Sequence, residues 1–124
     1  MSCADICIDM DYDNDNVFFS ERMVTARKEH KCCECGAAIH CGQIFEYAKG
    51  KNDAFWTAKT CAECAEIRKA MVCGTWVYGM LFEEIRASVF PEWKQSSPID
   101  CLAKIDSLAA RNKLREAYAD WDKQ

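Results

Sequence analysis

Four of the chain's ten cysteines fall in two C-x-x-C pairs, and this spacing is the strongest chemical statement in the sequence. In Lys31-Cys32-Cys33-Glu34-Cys35-Gly36 the outer cysteines are placed for a tight turn that aims two sulfurs at one ion, with Gly36 taking the backbone angle behind it. Cys61-Ala62-Glu63-Cys64 supplies a second pair after twenty-five intervening residues. Together Cys32, Cys35, Cys61 and Cys64 predict one structural zinc ion. Four thiolates close a tetrahedral shell and leave no position for a reacting water. Cys33 and Cys41 lie beside this set as thiols or alternate ligands. Cys3, Cys7, Cys73 and Cys101 match no ligand template, so they read as small apolar residues packed singly rather than as a second metal site. His30 and His40 flank the first pair and read as surface groups or as groups that orient a ligand.

The ligand pairs need elements to hold them. Gln43–Lys49 and Ala54–Lys59 are rich in aromatic and mixed apolar residues around the turn cluster Gly50-Lys51-Asn52-Asp53, which predicts a β-hairpin. Cys64, Ile67 and Met71 recur at helical spacing, and Thr60 with Glu63 has the form of a capping box, so the second pair should open a helix. There the helix dipole would favour thiolates over thiols. Knuckle, hairpin and helix in this order resemble a treble-clef zinc fold over about residues 30–72; a zinc ribbon is the competing arrangement. Thr75–Phe90 reads as a second helix, apolar at Leu81, Phe82, Ile85 and Val89 and stopped by Pro91. Ser97-Pro98 should cap one broken helix or two short ones carrying Ile99, Leu102, Ile105, Leu108, Leu114, Tyr118 and Trp121. The aromatic residues Trp76, Tyr78, Trp93, Tyr118 and Trp121 read mainly as core, with a partner-binding patch as the alternative. The expected class is α+β: an acidic arm (1–21), a zinc module (22–74) and a helical extension (75–124) packed as one cooperative unit.

At 124 residues the chain suits one core. Its net charge is −4, but placement matters more than the sum. Residues 1–21 carry Asp5, Asp9, Asp11, Asp13, Asp15 and Glu21 against no Lys or Arg. Residues 22–72 carry nine basic and six acidic side chains. The alternating aspartates invite a calcium-loop test, which fails because Asn14 and Ser20 stand where an EF-hand starting at Asp9 needs glycine and glutamate. The start lacks the basic and apolar regions of an export signal, and Met71 to Phe82 is too short to cross a bilayer, so a cytosolic protein is expected. A reducing compartment in turn favours metal ligation over disulfides.

Ala26-Arg27-Lys28-Glu29-His30-Lys31-Cys32-Cys33-Glu34-Cys35-Gly36, with Ile39, Gly42, Glu46, Tyr47, Lys59-Thr60-Cys61 through Cys64 and Gly74-Thr75-Trp76-Val77-Tyr78-Gly79, resembles small zinc-motif proteins of bacteriophages and prophages. The resemblance spans about residues 26–90, and Cys41 departs from it where such proteins often place proline. It implies a phage origin and the bacterial host cytosol, without an activity. The leading expectation is a non-enzymatic interaction protein that modulates or inhibits a host protein or nucleoprotein complex, as anti-CRISPR proteins do, with its acidic arm occupying a basic groove. The alternative is a nucleic-acid-binding zinc finger or transcriptional regulator that uses Arg22, Arg27, Lys28, Lys31, Lys49, Lys51 and Lys59 beside Tyr47 and Trp56. An HNH-type nuclease is not expected, because two histidines cannot supply its catalytic set; Cys33 or Cys41 as a reactive thiol is the remaining enzymatic possibility.

Overall fold

The computed structural model describes residues 7–10, 18–95 and 102–124. It is a mixed α+β fold. A three-stranded antiparallel sheet of order β1-β4-β5 is built from β1 (Phe18–Thr25), β4 (Ile44–Lys51) and β5 (Phe55–Cys61), and a two-stranded ribbon pairs β2 (His30–Lys31) with β3 (Ala38–Ile39). The helices α1 (Ala62–Met71), α2 (Leu81–Ser88), α3 (Phe90–Trp93) and α4 (Leu108–Asp122) follow.

β4 and β5 form the expected hairpin, turning through Asn52 to Ala54. The strand β1 was not expected from the sequence. It begins inside the segment expected to be an acidic arm and pairs with β4 along its whole length, Phe18 opposite Lys51 and Thr25 opposite Ile44. Upstream of it, Ile8 is buried, and its N–H donates to the Met71 carbonyl at 3.0 Å, which ties this stretch to the end of α1. The Asp9 carboxylate accepts from the Thr75 backbone N–H (3.2 Å) and hydroxyl (2.7 Å). Asp5, Asp11, Asp13 and Asp15 lie outside the described residues, as do Ser97-Pro98 and Ile99.

α1 starts where the second cysteine pair required, but the expected capping box does not form. Cys61 occupies the N-cap without a side-chain cap bond. Thr60 is fully buried on β5 with its hydroxyl 3.5 Å from the Cys33 sulfur, so it is turned away from the helix start. The helix expected over Thr75–Phe90 begins only at Leu81. Trp76 and Tyr78 close instead against the sheet side, and Gly79 takes φ +94°, a left-handed angle that breaks the chain direction just before α2. Pro91 does not end a helix; its fixed φ suits the first turn of α3, where no N–H is needed.

The apolar core of the C-terminal half is that expected from periodicity, although Ile105 lies in the loop before α4 and not on a helix. Leu81, Ile85, Val89, Phe90, Ile105 and Leu114 are fully buried, with Leu102 nearly so. Leu108 is the exception, 65% exposed at the start of α4. Phe90, Trp93, Tyr118 and Trp121 pack as a ring cluster with centroids 5.2 to 5.9 Å apart. Ser107 caps α4 by accepting from the Ala110 N–H at 3.1 Å, and its own N–H donates to Glu66 on α1 at 2.9 Å. This cap locks α4 onto the module that carries the cysteines.

Glu34 does the same for α2. Standing inside the first cysteine turn, its Oε1 accepts from the backbone N–H groups of Gly79 (2.9 Å) and Leu81 (3.1 Å) at the start of α2. Glu34→Ala is expected to lower unfolding stability by about 1 to 3 kcal/mol, since two charge-assisted bonds and an N-terminal cap are lost together. Urea melts of the two proteins check this; an unchanged midpoint would mean that α2 holds its start without Glu34.

Candidate functional site

The turn after β2 and the junction of β5 with α1 meet at four sulfurs. Cys32, Cys35, Cys61 and Cys64 lie within 4.8 Å of one another, with Cys32, Cys61 and Cys64 buried and Cys35 half-buried. Local hydrogen bonds set the turn. The Cys32 N–H donates to the Ala37 carbonyl (2.9 Å) and the Gly36 N–H to the Cys32 carbonyl (3.0 Å), while Gly36 sits at φ +76°, an angle that a side chain would strain. The Cys33 N–H donates to the Lys59 carbonyl at 2.8 Å and joins the turn to β5. Two further N–H groups, of Glu34 (3.4 Å) and Cys61 (3.3 Å), donate to the Cys32 sulfur. Donors aimed at sulfur are what a thiolate needs.

The cluster's own charges show why it suits a cation. Bonds from Cys61 and Cys64 stabilise a thiolate on Cys32 and hold that thiol far below the ordinary range. The shared proton and burial then push Cys61 up to about 11, and Cys64 rises further for the same reasons. A thiolate on Cys32 thus works against ionisation of Cys61 and Cys64, and a dication at the centre would relieve that conflict. The four residues thus fit a metal ion by donor type and mutual distance.

Lys113 completes the environment. From α4 its ammonium reaches the Cys35 sulfur at 3.2 Å and the Cys61 sulfur at 3.3 Å. Burial works against its charge, but the bond to Cys35 and the nearby Cys64 and Cys61 sulfurs outweigh it, so the amine is held above the ordinary lysine value. No sequence signal marks this residue, which is 78 positions from Cys35.

The remaining candidates stand apart. Cys33 is exposed beside Thr60, and the exposed Cys41 thiol donates to the Arg27 carbonyl. His30 packs its ring on Phe45 at 5.1 Å, and His40 pairs with Glu29 at 3.7 Å on the surface. Cys7 and Cys73, expected to pack singly, are instead joined as a disulfide across 66 residues, with Cα atoms 5.1 Å apart. The backbone bonds between Ile8 and residues 71 to 74 bring them together. Cys3 and Cys101 lie outside the described residues.

A second feature is the face of the sheet. Alternation along antiparallel strands sorts side chains by parity. Arg22, Tyr47 and Lys59 stand in one cross-strand row, and Ser20, Lys49 and Thr57 in the next. On the opposite face Glu46 is buried, with its carboxylate 2.6 Å from Arg68 of α1, and Glu21 lies 3.9 Å from the same guanidinium. Trp76 covers that guanidinium at 4.8 Å. The acids of β1 and β4 therefore face α1, and the cations face outward. A groove of about 1070 Å³ results, in which Arg22, Arg27, Lys28, Lys49 and Lys59 surround Tyr47 and His30 with no acidic side chain in the lining. Desolvation, then Lys59 and Lys28, lower the His30 pKa below the ordinary imidazole value. Of the basic residues singled out in the sequence, Lys31 and Lys51 do not line this groove, and Trp56 lies on the far side against Tyr78.

Among the described residues no helix is long and apolar enough to cross a membrane. No family model, curated protein or solved structure matches the chain.

Lys113→Met is expected to weaken metal retention about tenfold or more, the usual cost of removing a group that supports a ligand set. Competition of the metal-loaded proteins against a chromophoric chelator measures it. Equal retention would show that the ammonium only packs against the sulfurs.

Proposed function

We propose that this chain is a zinc-stabilised, non-enzymatic binding module whose cationic sheet face takes a nucleic acid. The observation that carries the reading is the groove: five basic side chains and a tyrosine on one face, with the neighbouring carboxylates turned to the other. A net charge of −4 does not oppose this, since a polyanion responds to the local field of the surface it meets rather than to the sum over the molecule.

Zinc is the proposed ion because four thiolates in a compact set suit a borderline-soft dication without redox chemistry, and such a site contributes folding energy directly. The order of knuckle, hairpin and ligand-bearing helix supports a treble-clef reading of this region. With all four positions filled by sulfur, the ion holds the fold and performs no reaction. The phage resemblance supports a setting in the host cytosol, against which the Cys7–Cys73 disulfide counts, since a reducing compartment disfavours such bonds.

A second reading, docking on a host protein or nucleoprotein complex, is favoured by a separate surface. Phe19, Phe55, Trp56, Trp76 and Tyr78 line a cleft of about 450 Å³, and Phe55 is 72% exposed. Aromatic rings gathered at a surface are typical anchors of protein interfaces.

The first reading is tested by anisotropy titration of labelled oligonucleotides with the zinc-loaded protein over a range of salt. Binding at about 50 mM salt is expected, with affinity falling linearly on a log–log plot and a slope of a few units for about five phosphate contacts. Arg22→Gln and Lys59→Gln should each reduce the slope by about one. Absence of binding at low salt would refute the nucleic-acid reading and leave the aromatic cleft as the surface to pursue.

A further inference from the structure

Resting on the cationic-face reading, we infer that the ligand is a single-stranded polynucleotide with one base stacked on Tyr47. Along the row Arg22–Tyr47–Lys59 the aromatic ring stands on the central strand and a cation stands on each side of it. This is the layout of a stacking platform: a π-face for a base and positive groups for the phosphates that flank it. Lys49 continues the row of cations along β4, two residues on and on the same face, about 7 Å further at the rise of a strand. Arg27 and Lys28 extend the positive wall from the segment between β1 and β2. Such spacing follows an extended backbone.

The shape of the surface separates single strands from duplexes. A duplex is read by an element that projects into a groove about 12 Å wide, and it keeps its base faces inside the stack. Here the aromatic group is recessed in a concavity and half-buried, with the cations around it. A duplex could reach the rim of lysines and arginines but would have no base face to offer Tyr47. A single strand has both.

The test compares 12-nucleotide single strands of DNA and RNA with the matching duplexes, using the zinc-loaded full chain with Tyr47→Leu and Tyr47→Phe variants. Single strands of either polymer are expected to bind about tenfold tighter than duplex; the arm with the higher affinity identifies the sugar. Tyr47→Leu should lose about tenfold in single-strand affinity with an unchanged salt slope, while Tyr47→Phe retains binding. Because Tyr47 also packs against the core, thermal melts accompany each variant. Should the leucine variant be unfolded, the Tyr47 ring resonances of the native protein decide: an upfield shift on adding single strand supports stacking, and unchanged ring signals overturn it. Equal affinity for duplex, with Tyr47→Leu unaffected, overturns the inference but leaves the cationic face standing. No binding of any oligonucleotide overturns both.

Discussion

Four sulfurs within 4.8 Å of one another form an arrangement that the rest of the molecule must hold and that the chain alone holds poorly. Two come from a tight turn and two from the start of a helix, so β4 and β5 have to span the interval and return in register. Charge sets the second demand. A thiolate on Cys32 pushes the Cys61 and Cys64 thiols up, and a cation at the centre would offset that charge. The fold brings further positive character from a distance: backbone N–H groups on Cys32, and the Lys113 ammonium on Cys35 and Cys61. The C-terminal helix is thereby tied to the ligand set by charge as well as by the packing of Leu114, and Glu34 ties α2 to the same turn.

The sheet carries an equally strict sorting. Strand alternation would place Glu21 and Glu46 on one face and Arg22, Lys49 and Lys59 on the other whatever the overall charge. The buried face tolerates Glu46 because Arg68 meets it at 2.6 Å; one guanidinium nitrogen and one carboxylate oxygen there still have no hydrogen-bond partner among the described residues. A buried pair of this kind adds little net stability over an apolar pair but penalises every arrangement that separates it. It fixes the register of α1 over the sheet. Arg68 thereby answers the two carboxylates that alternation has turned away from the cations.

What was legible in the sequence was what is encoded locally. Ligand spacing needs only a turn and a helix start, so Cys32, Cys35, Cys61 and Cys64 could be grouped from their spacing alone. The hairpin was marked by its turn cluster, and the helical core by the spacing of Leu81, Ile85 and Val89. β1 was hidden because the charge of the segment around Phe18–Thr25 masks its alternation: Ser20, Arg22 and Val24 share one face, Glu21 and Met23 the other. The start of α2 was misplaced because its cap comes from Glu34, 47 residues before Leu81. Lys113 and the Cys7–Cys73 pairing are products of tertiary approach over 78 and 66 residues and leave no local trace.

The cysteine cluster and the cationic face share a strand. β5 runs from Phe55 through Lys59 to Cys61, so Lys59 lines the groove two residues before a ligand; the Cys33 N–H bonded to the Lys59 carbonyl joins the two from the side. Filling the cluster with zinc and four thiolates would place a charge of −2 beside the groove, weakening its field unless a cation stands near. Lys113 meets that charge from the α4 side, and the N–H donors on Cys32 disperse it from within the turn. The cations that line the groove are then left to act outward. Lys113 thus reaches the sulfurs from a helix that contributes no residue to the groove's lining.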